Sequence, residues 1–182
     1  MLMSLLTGEL RRAICALLLT CTAMASLAGT DDEREAGDAL SYLLPAGVLA
    51  VEVWHGDREG ATQFVLSFAT TLGVTEVLKR TTHVERPDQS NDQSFPSGHA
   101  ARAFAAATFV HRRHGLEPAL PLYALATYVG YTRVQSQRHR WVDVAGAAAV
   151  SAVSTWVFVE PAPIVVSAGY RHAAIQWSVP LR

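Results

Sequence analysis

The sequence predicts an all-α protein, a compact helical bundle of about five helices after an N-terminal signal peptide, with a short extended C-terminal tail. Composition is the first reason: the 182 residues are 50% hydrophobic and 17% charged, enough to bury one sizeable core and far from disorder. Helix-length apolar runs bounded by caps and breakers are the second. The third is that strand-like alternation is confined to the tail, at Ile175, Trp177 and Val179.

In chain order, residues 1–28 read as a signal peptide. Arg11 and Arg12 precede the apolar run Ala13–Ala25, and Ala23 and Ala25 have the spacing a signal peptidase needs. A retained anchor is the alternative, although the run is short against the roughly 20 residues of a membrane span. Thr20 before Cys21 fits lipidation poorly. Cys15 and Cys21 both lie in this segment. Its removal leaves a chain without thiols, which excludes disulfides, thiolate metal sites and cysteine nucleophiles and suits a bacterial periplasm.

The remainder, 29–182, reads as one domain. It opens with the polar link "GTDDEREAGD", followed by a helix over Leu40–Trp54 that ends at "HGDREG". A second helix over Ala61–Lys79 has Asp57 as its cap and Phe64, Phe68, Leu72 and Leu78 near one stripe. Arg80–Phe95 is polar, carries Pro87 and reads as a loop. Then come Gly98–His114, stopped by Gly115, and Leu120–Tyr131, opened by Pro121. A last helix over Trp141–Phe158 ends at "EPAP". The uncharged stretches Leu43–Val51 and Val144–Val159 fall short of a clear span. Both a bundle attached to or partly embedded in a membrane and a soluble one fit this pattern.

Three polar groups interrupt these apolar helices. They are "KRTTHVERP" with Lys79, Arg86 and Pro87, "PSGH" with Ser97, Gly98 and His99, and "TRVQSQRHRWVD" with Arg133, His139 and Asp143. Singly each has a plain reading: solvated loop cations, a helix N-cap, a surface i,i+4 pair. Together, three cations, two histidines, a carboxylate and a helix N-terminus are the groups needed to bind and cleave a phosphate ester. His83, Arg102, His111, Arg112, Arg113, His114 and Arg138 read as solvated or rim charges, with Arg138 or Arg140 within reach of a substrate headgroup; His55 and His172 read as isolated surface residues.

In order and spacing, Lys79-x6-Arg86-Pro87, Pro96-Ser97-Gly98-His99 and Arg133-x5-His139-x3-Asp143 resemble the three-part signature of the type 2 phosphatidic acid phosphatase superfamily, which also includes vanadium haloperoxidases. Thr132 stands where that family usually has Ser and keeps the hydroxyl. The resemblance implies that His139 is the nucleophile, Asp143 orients it, and His99 protonates the leaving oxygen. It likewise implies that Lys79, Arg86 and Arg133, with the Ser97 hydroxyl and the Gly98 N–H, hold the phosphate oxygens. The implied enzyme is a metal-independent phosphatase that needs no cofactor.

Its expected substrate is a phosphate monoester or diphosphate, of a lipid or else of a small water-soluble molecule, hydrolysed through a phosphohistidine at the periplasmic face. A net charge of −1 excludes an electrostatic footprint for nucleic acid, and no His, Asp and Glu residues stand at metal-ligand spacing. A vanadate-dependent haloperoxidase would use the same pocket but belongs to much larger chains.

Overall fold

The computed structural model describes residues 30–162, 164–169 and 172–177. The expected signal peptide, both cysteines and Val179 lie outside the described residues. Five helices follow one another: α1 (Thr30–Trp54), α2 (Arg58–Thr82), α3 (Gly98–His114), α4 (Leu116–Gln135) and α5 (Trp141–Phe158). They form the expected helical bundle. The extended tail is an antiparallel hairpin of β1 (Ile164–Gly169) and β2 (His172–Trp177), with Ile164 opposite Trp177 and Gly169 opposite His172.

The alanine run explains the layout. Ala100, Ala101, Ala103, Ala105, Ala106 and Ala107 of α3 are all buried, and their small side chains let four neighbouring helices pack around α3 at once. Phe109 and Phe64 meet edge to face with ring centroids 4.9 Å apart, tying α3 to α2. Caps set the ends as the sequence implies: Asp57 Oδ1 accepts from the Gly60 N–H at 2.8 Å, and Gly115 stops α3 at φ +96°.

Several helix boundaries differ from expectation: α2 runs from Arg58 to Thr82 rather than from Ala61 to Lys79, α4 ends at Gln135 rather than Tyr131, and α1 and α4 both start earlier. The polar link is the first part of α1, because Gly37 is buried against α4 so closely that a Cβ would collide with the Thr132 side chain, and Asp38 ion-pairs with Arg133 at 2.7 Å. Tertiary contact, not local propensity, makes this segment helical. α4 starts at Leu116, directly after Gly115, and runs on through Pro121.

Two helices turn apolar side chains outward and hydroxyls inward. α2 buries Ser67, Thr71 and Thr75 while exposing Val65, Leu66, Val74 and Val77, and α5 buries Ser151, Ser154 and Thr155 while exposing Val153, Trp156 and Val157. Asp32–Trp54, Arg58–Thr82 and Trp141–Phe158 are long and apolar enough to cross a membrane. Leu43–Val51 lies inside the longer α1, and Val144–Val159 covers α5 from its second turn to its C-cap.

Arg113 is not the solvated charge expected from the sequence. It is 3% exposed, and Asp57 Oδ2 accepts from its Nε at 2.9 Å and its Nη2 at 2.6 Å, while Nη1 donates to Gln63 and the Glu160 carbonyl. Asp57 therefore caps α2 and neutralises a buried guanidinium. Asp57→Ala should destabilise the fold by about 2–4 kcal/mol, the sum of a lost cap and a broken, largely buried ion pair. A loss below about 1 kcal/mol in denaturant unfolding would contradict this.

Candidate active site

Two helix N-termini are locked side by side. Ser97 caps α3, its side chain accepting from the Ala100 N–H at 3.5 Å, and its own N–H donates to the Asp143 carbonyl of α5 at 3.1 Å. Asp143 closes the start of α5 by accepting from the Arg140 N–H at 2.8 Å. Each helix start presents unpaired N–H groups and the positive end of a dipole, a setting suited to an anion. The loop between α2 and α3 is closed on itself by the Ser94 N–H bond to the Val84 carbonyl, and is held in place by the Asp88 N–H bond to the Gln137 carbonyl and by Phe95 packed on Gly146.

A cleft of about 310 Å³ opens beside these helix ends, lined by Arg34, Asp38 and Tyr42 of α1 together with Arg86, His99, Arg133, Arg138 and His139. It brings together four of the residues singled out in the sequence: His139, His99, Arg86 and Arg133. Asp143 lies behind His139, fully buried, with Oδ2 3.6 Å from His139 Nδ1. That separation is longer than a hydrogen bond, so the carboxylate acts on the ring across a short gap. His139 precedes α5 rather than sitting inside it, so the pair is brought together by the helix cap and not by one turn of helix. Lys79 stands at the last turn of α2, its Nζ donating to the Gln93 carbonyl at 2.9 Å, and Gly98 lies against its side chain. The Ser97 hydroxyl is engaged as the cap of α3.

Burial and the cations Lys79 and Arg86 push the His139 imidazole down to about 4, with Asp143 acting the other way. Burial and the guanidinium groups of Arg102 and Arg133 push His99 down to about 4, with Asp38 opposing them. Both rings are therefore neutral near pH 7. A neutral imidazole has the lone pair that nucleophilic attack requires. Arg86 Nε, His139 Nδ1 and Asp143 Oδ1 are buried without a hydrogen-bond partner.

Ser94 and the α1 wall were not found from the sequence. The Ser94 hydroxyl donates to Asp143 Oδ2 at 2.6 Å, a short bond to a carboxylate from a residue in a run of similar polar loop residues. Asp38 Oδ1 lies 2.8 Å from His99 Nε2 and 2.7 Å from Arg133 Nη1. Of the expected rim charges, Arg138 lines the cleft and pairs with Asp88 at 3.3 Å, while Arg140 turns to the Glu85 carbonyl. Arg102 is half-buried over the Tyr42 ring and donates to Ser41.

Residues 60–162, which contain all three motifs, match the PAP2 superfamily. The chain is 34% identical over 122 residues to the lipid A 4'-phosphatase of Helicobacter pylori, the match covering 61% of each protein. It is 40% identical over 68 residues to the lipid A 1-phosphatase of Porphyromonas gingivalis, covering 36% of this chain and 15% of that one. The chain thus spans less than two thirds of the length of these relatives. The fold is similar to the crystal structure of Aquifex aeolicus LpxE, with a TM-score of 0.56 and 22% identity over 82% of this chain and 92% of that one.

Proposed function

The chain belongs to the PAP2 superfamily, and from that premise we propose that it is a phosphatase that removes phosphate from a lipid through a phosphohistidine, without metal. One observation carries the reading: His99 and His139 line the same cleft as Arg86 and Arg133, and His139 alone is backed by a buried carboxylate. That asymmetry supports the following division of roles. His139, neutral and backed by the Asp143 carboxylate, attacks phosphorus; Arg86, Arg133 and Lys79, with the Gly98 N–H, neutralise the equatorial oxygens. His99 gives its proton to the departing ester oxygen. It then takes one from the water that attacks the phosphohistidine and releases phosphate. His99 is depleted of its proton near pH 7, and a bound phosphate dianion restores its proton affinity by placing negative charge beside it.

A lipid substrate is supported by the outward apolar faces of α2 and α5, by three helices of spanning length, and by the relatives named for lipid A. The site would then stand at the periplasmic face, and sequencing the mature N-terminus tests the export reading of residues 1–28. Phosphate release across lipid A, phosphatidate, isoprenyl diphosphate and water-soluble monoesters tests the function. Release from lipids in preference to soluble esters is expected, and no release from any of them would overturn it.

The pH profile follows from the same geometry. Protonated His139 cannot attack, and its lowered pKa confines that loss to acid solution. In the free protein the His139 ring should therefore titrate below about pH 5, well under the ordinary imidazole value near 6.5, as followed by NMR of the ring with His139→Ala identifying its signal. Titration at 6.5 or above would show that the nucleophile is not held neutral by its surroundings.

A further inference from the structure

Asp38 is the one acidic side chain among those lining the cleft, and it stands where an anion would be expected. A single oxygen, Oδ1, contacts both His99 Nε2 at 2.8 Å and Arg133 Nη1 at 2.7 Å. The rest of the Arg133 fork is also engaged: Nη2 donates to the Arg34 carbonyl at 2.7 Å and Nε to the Thr132 hydroxyl at 3.3 Å. The close seat of Gly37 on Thr132 and Arg133 sets the register that brings Asp38 there. Asp38 lies outside the matched segment 60–162, so the three motifs say nothing about it.

We propose that Asp38 is a built-in competitor for phosphate: its carboxylate holds Arg133 and His99 in place of a substrate oxygen, and a phosphate group must displace it to bind. The proposal rests on the reading of this cleft as a phosphate site. Displacement exchanges one carboxylate oxygen for a phosphate oxygen at the same two donors, with no bond made or broken. A dianionic phosphate, with more charge and more acceptor oxygens, wins this exchange, and a weaker anion such as a carboxylate or sulfonate does not. Asp38 thereby sets both the affinity for product phosphate and the discrimination against other anions.

The test is calorimetric titration of inorganic phosphate into the detergent-solubilised full chain, its Asp38→Asn and Asp38→Ala variants, and Glu35→Gln. Glu35 is an exposed acid one turn away on α1 and serves as the control for general charge. Both Asp38 variants should bind phosphate at least about tenfold more tightly than the unaltered protein, equivalent to roughly 1.4 kcal/mol, and Glu35→Gln should bind it within about twofold. A merely structural Asp38 would give weaker binding when replaced. Unchanged or weaker binding in both Asp38 variants overturns the proposal, as does equal tightening in Glu35→Gln. If phosphate binds neither the unaltered chain nor any variant, the phosphate-site reading itself fails and takes this proposal with it.

Discussion

His139→Ala is expected to be inactive on every phosphate ester, and His99→Ala to retain phosphorylation of the enzyme by an activated aryl phosphate. On the proposed mechanism the first variant removes the atom that bonds to phosphorus, so no choice of leaving group rescues it. The second removes only the proton donor. A lipid alkoxide needs that proton and an aryl oxide hardly does, so the loss should grow steeply with leaving-group basicity. Asp143→Asn should fall between the two. Its neutral amide still fits beside Ser94 and the Arg140 N–H, but it weakens the hold on the His139 tautomer. Rapid-quench detection of an acid-labile, base-stable phosphoenzyme checks all three. Formation of that species in His139→Ala, or equal loss in His99→Ala on aryl and alkyl esters, would reverse or remove the assigned roles.

Of the eight motif residues, Arg86, His99, Arg133 and His139 meet in one cleft, as their spacing led one to expect, while Lys79, Ser97, Gly98 and Asp143 are not among its lining. The helix ends were legible where a cap is local, as at Asp57, Ser97 and Gly115. What escaped depends on partners far along the chain. The start of α1 looks like a polar linker until Gly37 and Asp38 are seen against α4, nearly one hundred residues away by the 95-residue separation of Asp38 and Arg133. Arg113 looks like one of four solvated basic residues until Asp57, 56 residues earlier, is found beside it. Ser94 shares its loop with Ser90 and Asn91, and only the fold shows that it alone is buried on Asp143.

Arg86→Lys and Arg133→Lys should each cost about 2 kcal/mol or more of transition-state stabilisation, roughly a thirtyfold fall in kcat/KM. A guanidinium can hold two phosphate oxygens in one plane, whereas an ammonium offers a point charge. The two variants should nevertheless differ outside catalysis. Arg86 comes from the loop, with a buried Nε that has no hydrogen-bond partner in this structure, so its replacement should leave unfolding nearly unchanged. Arg133 is 4% exposed and joins α4 to α1 through the Arg34 carbonyl and Asp38, bonds that a lysine cannot make together. Arg133→Lys should therefore lower the unfolding free energy as well, by about 1–3 kcal/mol for the charged bonds it loses. Steady-state kinetics beside denaturant unfolding separates the effects. Near-unaltered turnover in both variants would remove these residues from the phosphate cradle. Equal stability of the two variants would show that Arg133 does not tie α1 to the bundle, and that the other contacts of α1, Ser41 with Arg102 and Glu52 with His114 among them, hold it over the cleft.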